Sequence, residues 1–315
     1  MARNVVALAF LVLFCGIVGI REPRFFTSQS IESVLLWMPL ITVVAMGQLL
    51  VIVTGGIDIS VGSILGFAGI GAGLFLQSAP ALPIPLVFII GLTLGLVLGV
   101  INAAVFVWAR VPPLIVTIGT LASFRGLTFL VSKGDQIDST VIPSGMTSLA
   151  NTGVAIGGTT INWLLVIALS ISAVMAIVLR NMAGGRNVFA FGSSPTAAHL
   201  RGISSKSVLF WVYSVCGALS GLAGVMYASR FGFVNPGSAG QNFELTVIAA
   251  VVIGGTKLTG GVGSVFGVLI GCLLLSCINV GLAVMGVDAN WQMLAYGTVI
   301  LAAVLVDGFA ERRRA

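Results

Sequence analysis

Residues 51–63 read VIVTGGIDISVGS, and this stretch decides the fold. Residues 34–53 on one side of it carry no charge, and neither do residues 61–107 on the other. Asp58 stands between these apolar runs with Gly55, Gly56 and Gly62 around it. A charge in hydrocarbon costs roughly 2.5–3.5 kcal/mol on insertion scales, so it faces protein or a water-filled path. Gly55-Gly56 can end one helix, and Ser60 or Asp58 can cap the next by accepting its free backbone N–H groups. An acidic side chain also suits the positive end of a helix dipole. The stretch is therefore expected to be a break between two spans. Two roles stay open for Asp58: structural capping, or lining a path or its gate together with Gly55, Gly56, Ser60 and Arg125.

The rest of the chain supports the membrane reading. Of 315 residues 58% are hydrophobic and 8% charged, against roughly 25% charged in soluble domains. A spanning helix needs about 20 apolar residues. Ten such segments are expected, near 5–20, 32–53, 60–78, 84–108, 113–131, 161–180, 208–230, 244–256, 264–285 and 291–307. The eighth is short. The expected fold is an all-α polytopic membrane helix bundle, one transmembrane domain over residues 1–315. Arg3 followed by the apolar run 5–20 resembles a signal peptide. No small-x-small site precedes Arg21 and Arg24, so a retained first helix is expected.

Lys and Arg set the orientation. With a cytoplasmic N-terminus, the inner segments hold ten of them (Arg3, Arg110, Arg180, Arg186, Arg201, Lys206, Lys257 and Arg312–314) and the outer segments four (Arg21, Arg24, Lys133 and Arg230). Both termini are expected in the cytoplasm. The net charge of +6 is thus a topology signal, and no nucleic-acid partner is expected.

Catalytic and cofactor chemistry find little material. There is one histidine, His199, and the four cysteines lie inside apolar runs, so no metal site is expected. No G-x-x-x-x-G-K-[ST] phosphate loop is present and no cofactor is expected. If ATP drives this protein, another chain binds it.

Further patterns concern helix contacts and connections. GLTLGLVLG (91–99) and GSVFGVLIG (263–271) place glycines four apart on one helix face, which lets backbones pack closely. Residues 51–66 parallel residues 251–267, VVIGGTKLTGGVGSVFG, and paired Gly-interrupted hydrophobic segments mark internal repeats near a transport path. Arg125, in TIGTLASFRGLTFL (117–130), is the other charge inside a span. It either snorkels to an interface or pairs inside the bundle, with Asp58 as a candidate partner. The inner segment 181–207 contains GGRNVFAFGSSPTAAHLRGIS (184–204). Ser194 is a good N-cap, Pro195 fits a first turn, and Gly202 is a good stop. A short helix over 195–201 follows, with Ala197, Ala198, Leu200 and Ile203 as a small apolar side. On physics alone it is a connecting helix or a docking helix.

These residues resemble a known family. VIVTGGIDISVGS, VPPLIVTIGTLASFRG (111–126), GRNVFAFGSSPTAAHLRGIS (185–204), FELTVIAAVVIGGTKLTGGVGSVFG (243–267) and the terminal VLVDG (304–308) are similar, in order and spacing, to permease subunits of bacterial ABC sugar importers of the ribose/xylose/rhamnose class. GRNVFAFGSSPTAA and LPIPL (82–86) are most similar to the permeases for rhamnose and for the furanose autoinducer. The resemblance implies an inner-membrane permease for a monosaccharide or related furanose. It implies three partners: a cytoplasmic ATP-binding subunit, a periplasmic sugar-binding protein and a second permease. It also implies a coupling helix formed by Ser194, Pro195, Thr196, Ala197, Ala198, His199, Leu200, Arg201 and Gly202. The family commonly has acidic residues where this chain has Ser194-Pro195-Thr196. Two other classes are weighed against it. An ion-coupled secondary transporter would use Asp58 and Arg125 as a relay, and a membrane-embedded enzyme would need a catalytic set that the sequence lacks.

Overall fold

The computed structural model describes residues 2–109 and 111–288 together with 291, 294, 297 and 298. Within these the chain is helical, with one small hairpin. The elements are α1 (Ala2–Arg21), a 3-10 turn (Pro23–Phe26), α2 (Ser28–Val53), α3 (Val61–Ser78), α4 (Ile84–Ala109), α5 (Pro113–Ser132) and α6 (Ser144–Asn151). Then come β1 (Gly153–Ile156), β2 (Thr159–Asn162), α7 (Trp163–Asn181), α8 (Ala183–Ser193), α9 (Pro195–Leu200), α10 (Ser205–Phe231), α11 (Phe243–Ile253) and α12 (Val265–Val284). Among the described residues seven helices, α2, α3, α4, α5, α7, α10 and α12, are long and apolar enough to cross a membrane. The first expected span falls on α1, and the tenth, 291–307, lies outside the described residues apart from four positions.

Packing follows the small residues. α2 is the central helix, and Leu40 through Val53 are all buried. The first glycine-x3-glycine series, on α4, meets a second one on α10. A methyl group at Gly95 would lie 2.6 Å from the Gly221 backbone, and one at Gly99 would lie 2.9 Å from Gly217 Cα. The two helices approach at backbone distance, where dispersion and lipid release supply the association. The other series, on α12, packs on α11, with Gly254 set against the Gly267 backbone.

One end of the bundle gathers α6 and the β1–β2 hairpin. The polar segment 132–160, read from sequence only as a connection, folds as α6 and part of the β1–β2 hairpin. The hairpin is pinned by Glu32 Oε1 accepting from Thr160 N (2.8 Å) and by Asn162 Nδ2 donating to Leu35 O (3.0 Å). Arg230 donates to Leu36 O at 2.8 Å and lies 3.8 Å over the Trp37 ring. The opposite end carries α8 and α9.

The eighth expected span is half a helix. α11 has eleven residues, a rise of about 16 Å at 1.5 Å per residue. The remaining depth is covered by residues 232–242, which run down the side of α3 as irregular chain. Val234 packs near Gly69, Ala239 O lies against Gly66, and Gly240 O lies against Gly62. Glycine at 62 and 66 leaves room for that close approach. Asn242, at φ 57°, turns the chain into α11.

Candidate functional site: two helix breaks and a capped helix

The first break lies between α2 and α3. Thr54 ends α2, Gly55 takes φ 80°, and α3 begins at Val61. Asp58 is fully buried. Its Oδ1 accepts from Ser60 N (2.9 Å) and Ser60 Oγ (2.7 Å), an Asx-type turn made by a short carboxylate two residues upstream. Ser60 Oγ accepts in turn from Asn102 Nδ2 on α4 at 2.8 Å. The Gln48 side-chain amide, oriented to satisfy both groups, bridges the Asp58 backbone, with distances of 3.2 Å to its N–H and 3.3 Å to its carbonyl. The Tyr213 hydroxyl of α10 lies where a side chain on Gly56 would stand.

The Ser60 side chain makes no cap bond to α3, which corrects that half of the capping expectation. Its hydroxyl bonds Asp58 and Asn102 and so ties the break to α4. Asp58 does accept a backbone N–H at the start of α3, that of Ser60. The depth of the break, open from sequence, follows from the same partners. Asn102 lies seven residues before the end of α4 and Tyr213 eight residues after the start of α10. At 1.5 Å per residue the break sits about 10 Å inside the ends of those helices.

Arg125 does not meet Asp58. Its Nη1 donates to Ala239 O at 2.6 Å and to Pro236 O at 3.4 Å, and Glu244 is its electrostatic neighbour. The irregular segment 232–242 carries backbone carbonyls to membrane depth, where they need partners inside the protein. The guanidinium supplies them.

The second break repeats the first. Gly254 and Gly255 (φ 87°) end α11, and Ser264 caps α12 by accepting from Gly267 N at 3.4 Å. Between them, Gly260 N donates to Lys257 O and Lys257 N to Val262 O, both at 3.0 Å, forming a small turn. The two breaks touch: Gly261 N donates to Val53 O at 2.8 Å.

α9 is terminated at both ends by its own sequence. Ser194 Oγ accepts from Ala197 N at 3.3 Å, and Pro195 occupies the first helical position. At the other end Ile203 N donates to Ala198 O (3.0 Å) and Gly202 N, at φ 79°, to His199 O (2.9 Å). This is the Schellman pairing. Pro195, Thr196, Ala197, His199 and Arg201 are exposed, and Leu200 is 83% exposed. Ala198 is 2% exposed. The apolar side read from sequence is thus divided. Ala198 packs into the core of this chain, while Ala197 and the one large apolar residue, Leu200, project.

Gln48, Asn102 and Tyr213 were not singled out from sequence. The signal was present for two of them, since each is an isolated carboxamide within an uncharged apolar run. Gly192, Val53 and Gly261 left no signal of that kind, because their contacts are made by backbone.

Seven helices long and apolar enough to cross a membrane, with paired helix breaks among the described residues, define a polytopic membrane protein. Residues 30–304 match the family described as branched-chain amino acid transport system / permease component, and the chain belongs to that family. It is 33% identical over 306 residues to the autoinducer 2 import system permease protein LsrC of Photorhabdus luminescens, covering 97% of this chain and 90% of that protein. To the protein of the same name from Yersinia pseudotuberculosis serotype O:1b it is 33% identical, covering 96% of this chain and 83% of the relative. To that of Escherichia coli it is 32% identical, covering 97% and 87%. No solved structure matches. The chain is a multi-pass inner-membrane translocation component.

Proposed function

We propose that this chain is the permease subunit of an ATP-driven importer and forms, with a second permease, the path for a monosaccharide or related furanose. The near full-length similarity to autoinducer 2 import permeases supports the cargo class. The single structural observation that carries the mechanism is α9: a helix fixed by Ser194, Pro195 and Gly202 that presents Leu200 away from its own chain. In this reading both termini and the end that carries α8 and α9 face the cytoplasm, in keeping with the Lys/Arg distribution. Leu200 seats in a groove of a separate ATP-binding subunit, which hydrolyses the nucleotide.

The cycle is one of alternating access. ATP binding closes the two ATP-binding subunits, α9 moves with them, and the path opens outward to a periplasmic binding protein that delivers cargo. Hydrolysis returns it. The path binds cargo weakly, because a tight site would not release. The ion-relay alternative loses its basis, since Asp58 and Arg125 engage different elements.

Reconstitution tests the assignment. Uptake into proteoliposomes is expected only with ATP, the ATP-binding subunit and the loaded binding protein together. Uptake by this chain alone, driven by an ion gradient, would overturn it. Leu200→Asp is expected to abolish ATPase co-purification while leaving membrane abundance near the parent level.

A further inference from the structure

α9 is attached to the bundle through backbone in direct contact with backbone. Ser194 caps α9 and also ends α8, its N–H bonding to Ala190 O at 3.2 Å. The last turn of α8 therefore moves with α9. That turn carries Gly192 and Ser193. A methyl group on Gly192 would collide with Val53 O and lie 2.8 Å from Gly261 N. One on Gly260 would lie 2.9 Å from Gly192 O and 3.0 Å from Gly55 N and from Val53 O. One on Gly261 would lie 2.9 Å from Ser193 Cα. Gly260 and Gly261 hold φ of 87° and 75°, a conformation other residues adopt only under strain. Three segments thus meet: the end of α2, the turn between α11 and α12, and the last turn of α8.

A contact between side chains yields by changing rotamer. A contact between close-packed backbones has no such freedom and transmits displacement. The Gly261 N–H to Val53 carbonyl bond also fixes the second break to the first. From this geometry we propose that Gly192, Val53 and Gly261 form a rigid joint through which movement of α9 reaches both helix breaks at once. The three are positioning residues for transport and touch no cargo. The inference rests on the assignment of α9 as the coupling helix.

The test uses the assembled transporter in vesicles with its ATPase and binding protein. Gly192→Val drives a wedge into the joint. The variant is expected to keep ATPase co-purification and basal ATP hydrolysis, while cargo stimulation is lost and uptake falls about tenfold or more, the scale of a lost coupling free energy. Parent-rate uptake, or loss of ATPase association, would overturn the joint. A second variant, Gly192→Ala, carries the smallest wedge: its methyl group still meets Val53 O, so uptake is expected to fall, less than in Gly192→Val, with ATPase association retained. Parent-rate uptake by Gly192→Ala would overturn the proposal even if Gly192→Val does not accumulate. Leu200→Asp serves as the control. If it keeps the ATPase and transports, the coupling-helix assignment fails and the joint with it; if it loses both while the Gly192 variants transport at the parent rate, the joint alone fails.

Discussion

The two helix breaks share a sequence skeleton and differ in what fills them. Each runs from a β-branched segment into Gly-Gly, then through a polar stretch to Val-Gly-Ser. Each pair has one glycine with positive φ, the first of the pair in one break (Gly55 at 80°) and the second in the other (Gly255 at 87°). The first break is held by side chains: Asp58, Ser60, Gln48 and Asn102 form one buried polar set drawn from α2, the break itself and α4. The second is built on a backbone turn and reaches the end of α2 through the Gly261 N–H, and its buried hydroxyl, Thr256 Oγ1, bonds to nothing among the described residues. A repeated backbone device therefore does not imply repeated chemistry. One copy is tied to α4 through side chains and the other to α2 through a backbone hydrogen bond.

Asp58→Leu attacks that difference hardest. It leaves the Ser60 N–H and hydroxyl buried without an acceptor, at about 1–3 kcal/mol each. Membrane abundance of folded permease is expected to collapse, read by immunoblot and by fluorescence-detected size exclusion. Asp58→Asn retains an oxygen acceptor and is expected to retain most of it.

Paired hydroxyl deletions sharpen the comparison. Ser60→Ala removes a group that both donates and accepts, and is expected to lower stability by about 1–3 kcal/mol. Thr256→Val removes a hydroxyl with no partner, so the detergent-solubilised melting temperature is expected to stay level or rise. Equal losses from both would mean that the second break is also held by side chains.

The glycines test what the breaks share. Gly55→Ala and Gly255→Ala each force a β-carbon into left-handed backbone, at about 1–2 kcal/mol. Gly55 has space for the methyl group, with its nearest neighbour, Thr259 O, at 3.7 Å. Similar, modest drops in melting temperature are expected. The smallest effect is a coupling. Asp58→Asn and Arg125→Gln are expected to be additive within about 0.5 kcal/mol, because the two side chains share no partner. A larger interaction term in that cycle would restore the pairing considered from sequence.

Legibility in the sequence followed the range of each interaction. The expected spans 60–78 and 113–131 match α3 and α5 within a residue, because charge-free runs and their flanking glycine and proline are local signals. The termination of α9 was legible for the same reason, from Ser194, Pro195 and Gly202. The partners of Asp58 were not, since Asn102 and Gln48 arrive from separate helices. Arg125 was harder still: its acceptors are the backbone carbonyls of Pro236 and Ala239, and a carbonyl has no letter in the sequence. The inward turn of Ala198 escaped because a six-residue helix is too short to show a periodic face.

The half-length of α11 constrains assembly. Its rise of about 16 Å is close to half the roughly 30 Å of hydrocarbon, so it lacks the length of an independently inserted span. Residues 232–242 cannot wait in lipid either, because unpaired carbonyls there cost several kcal/mol each. Their binding surface is made by Gly62 and Gly66 on α3 and by Arg125 on α5, all synthesised earlier. The surface for this segment is thus complete once α3 and α5 have packed. Arg125 is accordingly a receptor whose ligand, the backbone of Pro236 and Ala239, lies further along the same polypeptide.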